Sequence, residues 1–168
     1  GGGTGIGAAI ARVMSKEGAK LSLAGRRKGP LDAMTKELPK TTAIVADITS
    51  EADCAAMVQA AQAAHGPVDI VIANAGAASS APAGKIDLKA WQQAIDVNLT
   101  GAFLTVSAAL ADVTRAPGGR IVFIASTAGL KGYPYVAAYV AAKHGVVGLM
   151  KALSLELAPK GVTVNAVC

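Results

Sequence analysis

The sequence predicts an α/β fold: a doubly wound parallel sheet in three layers. Three observations carry that prediction. Five short apolar runs recur along the 168 residues, with helical stretches between them. The runs are continuous rather than alternating, as in strands whose two faces are both covered. Hydrophobic residues make up 52% of the chain and charged residues only 16%. That balance excludes a disordered chain, and its small residues suit tightly packed layers. Such alternation predicts right-handed crossovers and one domain over residues 1–168.

The elements follow in order. The chain opens on GGGTGIGAAIARVM, and a helix over Gly5–Glu17 starts straight from the glycines. Lys20–Ala24 and Ala43–Ala46 read as the first two strands. A helix over Ser50–Ala64 follows, with Ser50 as its N-cap and Asp53 at the capping-box position. Asp69–Asn74 is the next strand. Leu88–Thr114 reads as one long apolar helix, Arg120–Ser126 as a strand, and Val136–Leu157 as a helix stopped by Pro159. Val162–Val167 reads as the last strand. No internal repeat or linker interrupts the pattern.

Composition narrows the function. The formal charge is +5, but no long basic run or aromatic–basic interleaving supports a nucleic-acid partner. No stretch reads as long and apolar enough to span a membrane. Cys54 and Cys168 do not form a disulfide framework, and Cys54 reads as a small core residue. A reducing cytoplasm is the default compartment. The histidines and cysteines lack metal-ligand spacing. His65, at a helix end, is expected to be exposed, and Trp91 to be a packing residue. Ser126 lacks the G-x-S-x-G elbow of a serine hydrolase, and His144 points away from the face that carries Tyr139.

The glycines do not fit G-x-G-x-x-G in any register. They fit G-x-x-x-G-x-G on Gly1, Gly5 and Gly7. Glycine allows a tight turn and a close approach of backbone N–H groups to a pyrophosphate at a helix N-terminus. After the first strand, Gly25 stands where an acid would bind the ribose of NAD. Arg26 follows it, suited to the 2′-phosphate of NADP. Asp47 ends one strand and Asn74-Ala75-Gly76 another, where ligands bind in parallel sheets. Asp47 is placed to accept from an adenine amino group. Asn74 either contacts ligand or braces the loop through its amide. Tyr139 and Lys143 are four apart and share a helix face. A free tyrosine titrates near 10, too high for proton transfer at neutral pH, and a nearby ammonium favours the phenolate. The pair is a candidate general acid/base. Ser126 ends a buried strand, and Asn98 is a polar residue in an apolar stretch.

Taken together, these motifs resemble the short-chain dehydrogenase/reductase family over nearly the whole chain. The segment STAGLKGYPYVAAYVAAKHGVVGL is similar to bacterial 3-oxoacyl and 3-hydroxybutyrate type members. The resemblance implies a Rossmann-like oxidoreductase passing hydride between a nicotinamide cofactor and a carbonyl or secondary alcohol. NADP(H) is expected in preference to NAD(H), which is also possible. The resemblance makes Tyr139 the acid/base, Lys143 its activator and ribose ligand, Ser126 the group that polarises the substrate carbonyl, and Asn98 the holder of a relay water. Gly1, Gly5, Ile6, Gly7, Arg26, Asp47, Asn74, Ala75 and Gly76, with Tyr139 and Lys143, are the implied cofactor contacts. The family pairing of helices implies a homodimer or homotetramer through Leu88–Ala111 and Val136–Leu157. The alternative is a dinucleotide-binding regulator on the same fold without turnover. Relative to the family pattern, the first strand and the C-terminal substrate segment are missing, so a fragment inactive as written is expected. Without that strand, the runs KLSLA and DIVIAN should each lack a partner.

Overall fold

The five apolar runs form strands in the computed structural model, which describes residues 1–168. They are β1 (Leu21–Gly25), β2 (Thr41–Val45), β3 (Ile70–Ala73), β4 (Arg120–Ile124) and β5 (Thr163–Val167). Six α-helices alternate with them: α1 (Gly5–Lys16), α2 (Lys28–Glu37), α3 (Glu51–His65), α4 (Leu88–Ile95), α5 (Gly101–Arg115) and α6 (Ala137–Leu157). Every strand pair is parallel, in registers that place Leu21 opposite Thr41, Ile70 opposite Arg120, and Arg120 opposite Thr163.

The strands fall into two sheets, β1–β2 and β3–β4–β5. An apolar groove of about 580 Å³ separates β1 from β3, lined by Leu21 and Leu23 on one side and Val71 and Ile72 on the other. The runs KLSLA and DIVIAN therefore pair on one edge each, as expected. Polar ties cross between the sheets at one end of the groove. Gly2 N–H donates to the Ala24 carbonyl at 3.0 Å, and Asn74 Nδ2 donates to the Gly1 carbonyl at 3.0 Å.

Two apolar cores match the two sheets. The larger gathers 15 buried residues around β3–β5, α5 and α6, with Ile121 and Phe123 fully buried. The smaller gathers seven, including Leu23, Leu31 and Met34, between α1, α2 and β1. Each fully buried large side chain contributes about 1.5–3 kcal/mol. Asp112 on α5 ties α3 to the larger core. Its Oδ2 accepts from Gln62 Nε2 at 2.8 Å and from Val68 N–H at 3.0 Å.

One helix was not anticipated: α2 starts at Lys28, with Pro30 in its first turn, where the missing N–H costs nothing. Four expectations need correction. The predicted helix Leu88–Thr114 is broken at Asp96–Thr100 by a π-helical turn. The full helical stretch Leu88–Arg115 is long and apolar enough to cross a membrane, contrary to expectation. Ala102, Val106, Ala109 and Val113 on it are buried in the larger core. His65 is partly buried, with Nε2 3.2 Å from Thr42 Oγ1 and 3.1 Å from the Leu21 carbonyl. Trp91 is not enclosed by packing and stays exposed on α4. The predicted Ser50 cap and capping box form, with Asp53 N–H donating to Ser50 Oγ at 3.1 Å.

Candidate active site

The C-terminal ends of the strands carry the predicted residues. Ser126 follows β4 and caps a short 3-10 turn, Thr127–Gly129; its Oγ accepts from Ala128 N–H at 3.1 Å. That leaves its proton and second lone pair for a substrate oxygen. Tyr139 and Lys143 lie on α6, with Lys143 Nζ 5.7 Å from the Tyr139 ring centroid. Lys143 is 4% exposed, and its Nζ donates to the Ile124 carbonyl at 2.9 Å. Burial pushes its ammonium below the usual lysine range. The end of β4 therefore presents Ser126 and anchors Lys143 only two residues earlier.

Gly129, which sequence reasoning missed, makes this docking possible. A Cβ there would lie 2.8 Å from the Lys143 carbonyl oxygen. The 3-10 turn thus sits directly on α6 at the turn that carries the lysine. The sequence signal for it was a glycine three residues after the strand-end serine.

Asn98 is 1% exposed on the π-helical turn. Its Nδ2 donates to the Ala77 and Ala94 carbonyls at 2.8 and 2.9 Å, and its Oδ1 accepts from Ala77 N–H at 3.1 Å. The extra residue of a π turn pushes this side chain out of the helical ladder. Asn98 thereby fixes the loop leaving β3, just after Gly76. A methyl on Gly76 would lie 3.5 Å from Lys143 Nζ, so Asn98, Gly76 and Lys143 converge.

The glycine loop occupies the other side. Thr4 precedes α1 without a side-chain cap, and no acid stands in the first turn. The first-turn amides and the positive end of the helix dipole are thus open to an anion. A Cβ on Gly7 would collide with the Gly1 carbonyl and lie 2.6 Å from Asn74 Nδ2. Of the two roles open to Asn74, bracing the loop is the one its amide performs here. A cleft of about 240 Å³ runs from Gly3 and Thr4 past Arg26 and Asp47 to Ala75 and Gly76. Arg26 is exposed and makes no ion pair, whereas Lys28 is paired with Asp32 at 2.6 Å. Ile6 is exposed on the first turn of α1. Asp47 Oδ1 accepts from Thr49 N–H at 3.0 Å and from Thr49 Oγ1 at 2.8 Å, which holds its carboxyl below the usual range.

The connection between Ser126 and Tyr139 holds further residues that sequence reasoning passed over. Tyr133 Oη donates to Thr127 Oγ1 at 2.9 Å, and Lys131 Nζ lies 5.2 Å from the Tyr133 ring centroid. When the Tyr133 phenol ionises, the Thr127 hydroxyl can turn to donate to it, and this, with Lys131 beside it, holds the phenol below its ordinary value. Tyr135 has φ 66°, and its carbonyl accepts from Ala81 N–H at 2.8 Å.

Residues 1–168 match a family model described as short chain dehydrogenase. The chain is 36% identical to a D-beta-hydroxybutyrate dehydrogenase of Rhizobium meliloti, over 98% of this chain and 66% of that protein. It is 38% identical to 2-(S)-hydroxypropyl-CoM dehydrogenase 3 of Xanthobacter autotrophicus, over 100% of this chain and 68% of that protein. It superposes with a TM-score of 0.96 on an actinorhodin polyketide ketoreductase crystallised with NADPH. That pair is 38% identical, over 100% of this chain and 67% of the other. The chain thus spans about two thirds of the length of these relatives, and 63% of a granaticin polyketide synthase relative from Streptomyces violaceoruber.

Proposed function

The chain belongs to the short-chain dehydrogenase family, and on that premise we propose that it passes hydride between a nicotinamide cofactor and a small ketone or secondary alcohol. NADP(H) is the preferred cofactor, NAD(H) the lesser one, and 3-oxoacyl compounds or similar ketones the substrate class. One observation carries the reading: Lys143, beside the Tyr139 ring, is anchored on the Ile124 carbonyl at the end of β4, two residues before Ser126. The ketoreductase and hydroxybutyrate dehydrogenase names among the relatives support the substrate class.

The residues present fit the cofactor. The open amides of α1 leave room for a pyrophosphate, and nothing lies within 4 Å of where a Cβ on Gly5 would stand. Unpaired Arg26 at the cleft suits a 2′-phosphate, which an aspartate in its place would repel. When bound, a nicotinamide dinucleotide supplies or accepts the hydride.

The chain's own groups do the rest. Ser126 Oγ donates a hydrogen bond to the substrate carbonyl oxygen, keeping its proton, while Ala128 N–H holds the hydroxyl in place. Tyr139 Oη gives its proton to that same oxygen in reduction and takes it back in oxidation. Lys143 stabilises the phenolate that remains, because its ammonium is fixed beside the ring by the Ile124 carbonyl. Asn98 keeps the Gly76–Ala77 loop against the lysine. Assembly as a homodimer or homotetramer belongs to the same proposal. Exposed Leu88, Phe103 and Leu155 on the long helices support it, and light scattering of the full-length protein reads it.

The test is Tyr139→Phe in the full-length protein, assayed by NADPH oxidation with a panel of 3-oxoacyl thioesters and simple ketones. Reduction should vanish while cofactor affinity stays nearly unchanged. Substantial residual turnover overturns the assignment of the proton donor.

A further inference from the structure

Tyr135 is strained. Its φ of 66° lies in the left-handed region, where a bulky aromatic residue rarely sits. The residue is 62% exposed, so side-chain packing does not explain the conformation. Its carbonyl does: it accepts the Ala81 N–H at 2.8 Å.

That one bond closes a ring of contacts beside the catalytic residues. Starting at Lys143, the Nζ lies beside Gly76, and Asn98 clamps the next residue, Ala77, at both its N–H and its carbonyl. The loop then runs to Ala81, crosses by the hydrogen bond to Tyr135, and returns through Tyr139 to Lys143. Gly129 and the Tyr133–Thr127 bond hold the other end of the Tyr135 segment next to Ser126. Both segments are thus fixed near the catalytic groups, and the Ala81–Tyr135 bond joins them farther out.

We propose that Tyr135 is a positioning residue: its left-handed backbone ties the 77–82 loop to the segment before Tyr139 and sets the opening through which the ketone reaches the phenol. The backbone is the working part, and the phenol ring is dispensable. Strain of this kind persists only where the surroundings enforce it, and it clusters at working sites. The kinetic part of the inference rests on the reductase reading; the tie itself does not.

The test compares Tyr135→Gly with Tyr135→Val in the full-length protein. Glycine adopts the left-handed conformation freely and preserves the tie; a β-branched residue resists it. By hydrogen exchange, the Ala81 amide should stay protected in the wild type and in Tyr135→Gly, and exchange quickly in Tyr135→Val. With the tie lost, the competent opening is populated less, and the ketone KM should rise roughly three- to tenfold. Neither kcat nor the NADPH KM should follow it, and Tyr135→Gly should restore the wild-type KM. If Tyr135→Val does not fold, Ala81→Pro removes the same donor and should reproduce the effect. An Ala81 amide indifferent to Tyr135→Val, or a ketone KM unchanged in Ala81→Pro, overturns the proposal. So does an equal rise in KM for the glycine and valine variants, which would assign the work to the ring. Protection of Ala81 without any turnover on ketones would strike the reductase reading and uphold the tie.

Discussion

The two sheets are made from the same kind of strand and stand on apolar clusters of very different size. Around β3–β4–β5, 15 residues share one buried cluster, and Phe123 and Ile121 are completely enclosed. Around β1–β2 the cluster has seven members. Ser126, Tyr139, Lys143 and Asn98 all stand on the larger side. Arg26 and the glycine loop stand on the smaller, joined across the groove end by the bonds of Gly2 to Ala24 and of Asn74 to Gly1. Proton-transfer groups need fixed geometry at sub-ångström tolerance. A phosphate loop is ordered in part by the anion it binds, and tolerates a weaker foundation.

The largest expected effect breaks the comparison if it is wrong. Phe123→Ala should cost about 3–5 kcal/mol and Leu31→Ala about 2–5 kcal/mol. Their footprints should differ. In hydrogen exchange, Leu31→Ala should release the amides of β1, β2, α1 and α2 and spare β4 and β5. Phe123→Ala should release all strands. Uniform loss of protection in both variants would mean that the two sheets open as one unit.

A smaller effect sharpens the comparison from the ligand side. Arg26→Ala should reduce the preference for NADPH over NADH by about ten- to hundredfold in kcat/KM, equivalent to about 1.5–3 kcal/mol for a charge-assisted contact. Tm should not move, because Arg26 is exposed and makes no ion pair in the fold. An unchanged cofactor ratio would remove Arg26 from the site.

The smallest effect tests the tie between α5 and α3. Asp112→Ala leaves Gln62 and the Val68 N–H without their acceptor and should cost about 1–3 kcal/mol near neutral pH. The bonds to Gln62 and Val68 hold the Asp112 carboxyl below its ordinary value of 3.8. The folded state thus binds its proton less readily than the unfolded state does. The stabilisation is present in full above that value and lost as pH falls through the lower folded-state titration. The gap between wild type and Asp112→Ala should close in urea titrations taken well below pH 4. A gap independent of pH would show that the charge of Asp112 plays no part.

What was legible in the sequence follows the range of the forces involved. Continuous apolar runs announced all five strands to within a few residues, because burial on both faces leaves a local trace. The Tyr139–Lys143 pair was legible because helix geometry alone places residues four apart on one face. Helix α2 was obscured by the Arg26-Arg27-Lys28-Gly29-Pro30 run, which carries turn chemistry although its proline falls in a tolerant first-turn position. The clamp of Asn98 on Ala77 joins residues 21 apart, and the seat of Gly129 on the Lys143 carbonyl depends on how α6 docks. Neither leaves a local pattern. The same holds for Tyr135, whose conformation is imposed by a loop more than 50 residues earlier in the chain.

The π-helical turn at Asp96–Thr100 also acts as a phase shifter. One residue advances an α-helix by about 100°. The extra residue therefore sets the azimuth of everything after it, and with it the stripe of Ala102, Val106, Ala109 and Val113 that faces the sheet. Deleting a single residue within 96–100 would regularise the helix and swing that stripe away from β3 and β4. Substitutions in this turn are then minor edits, whereas a one-residue deletion re-addresses a whole helix.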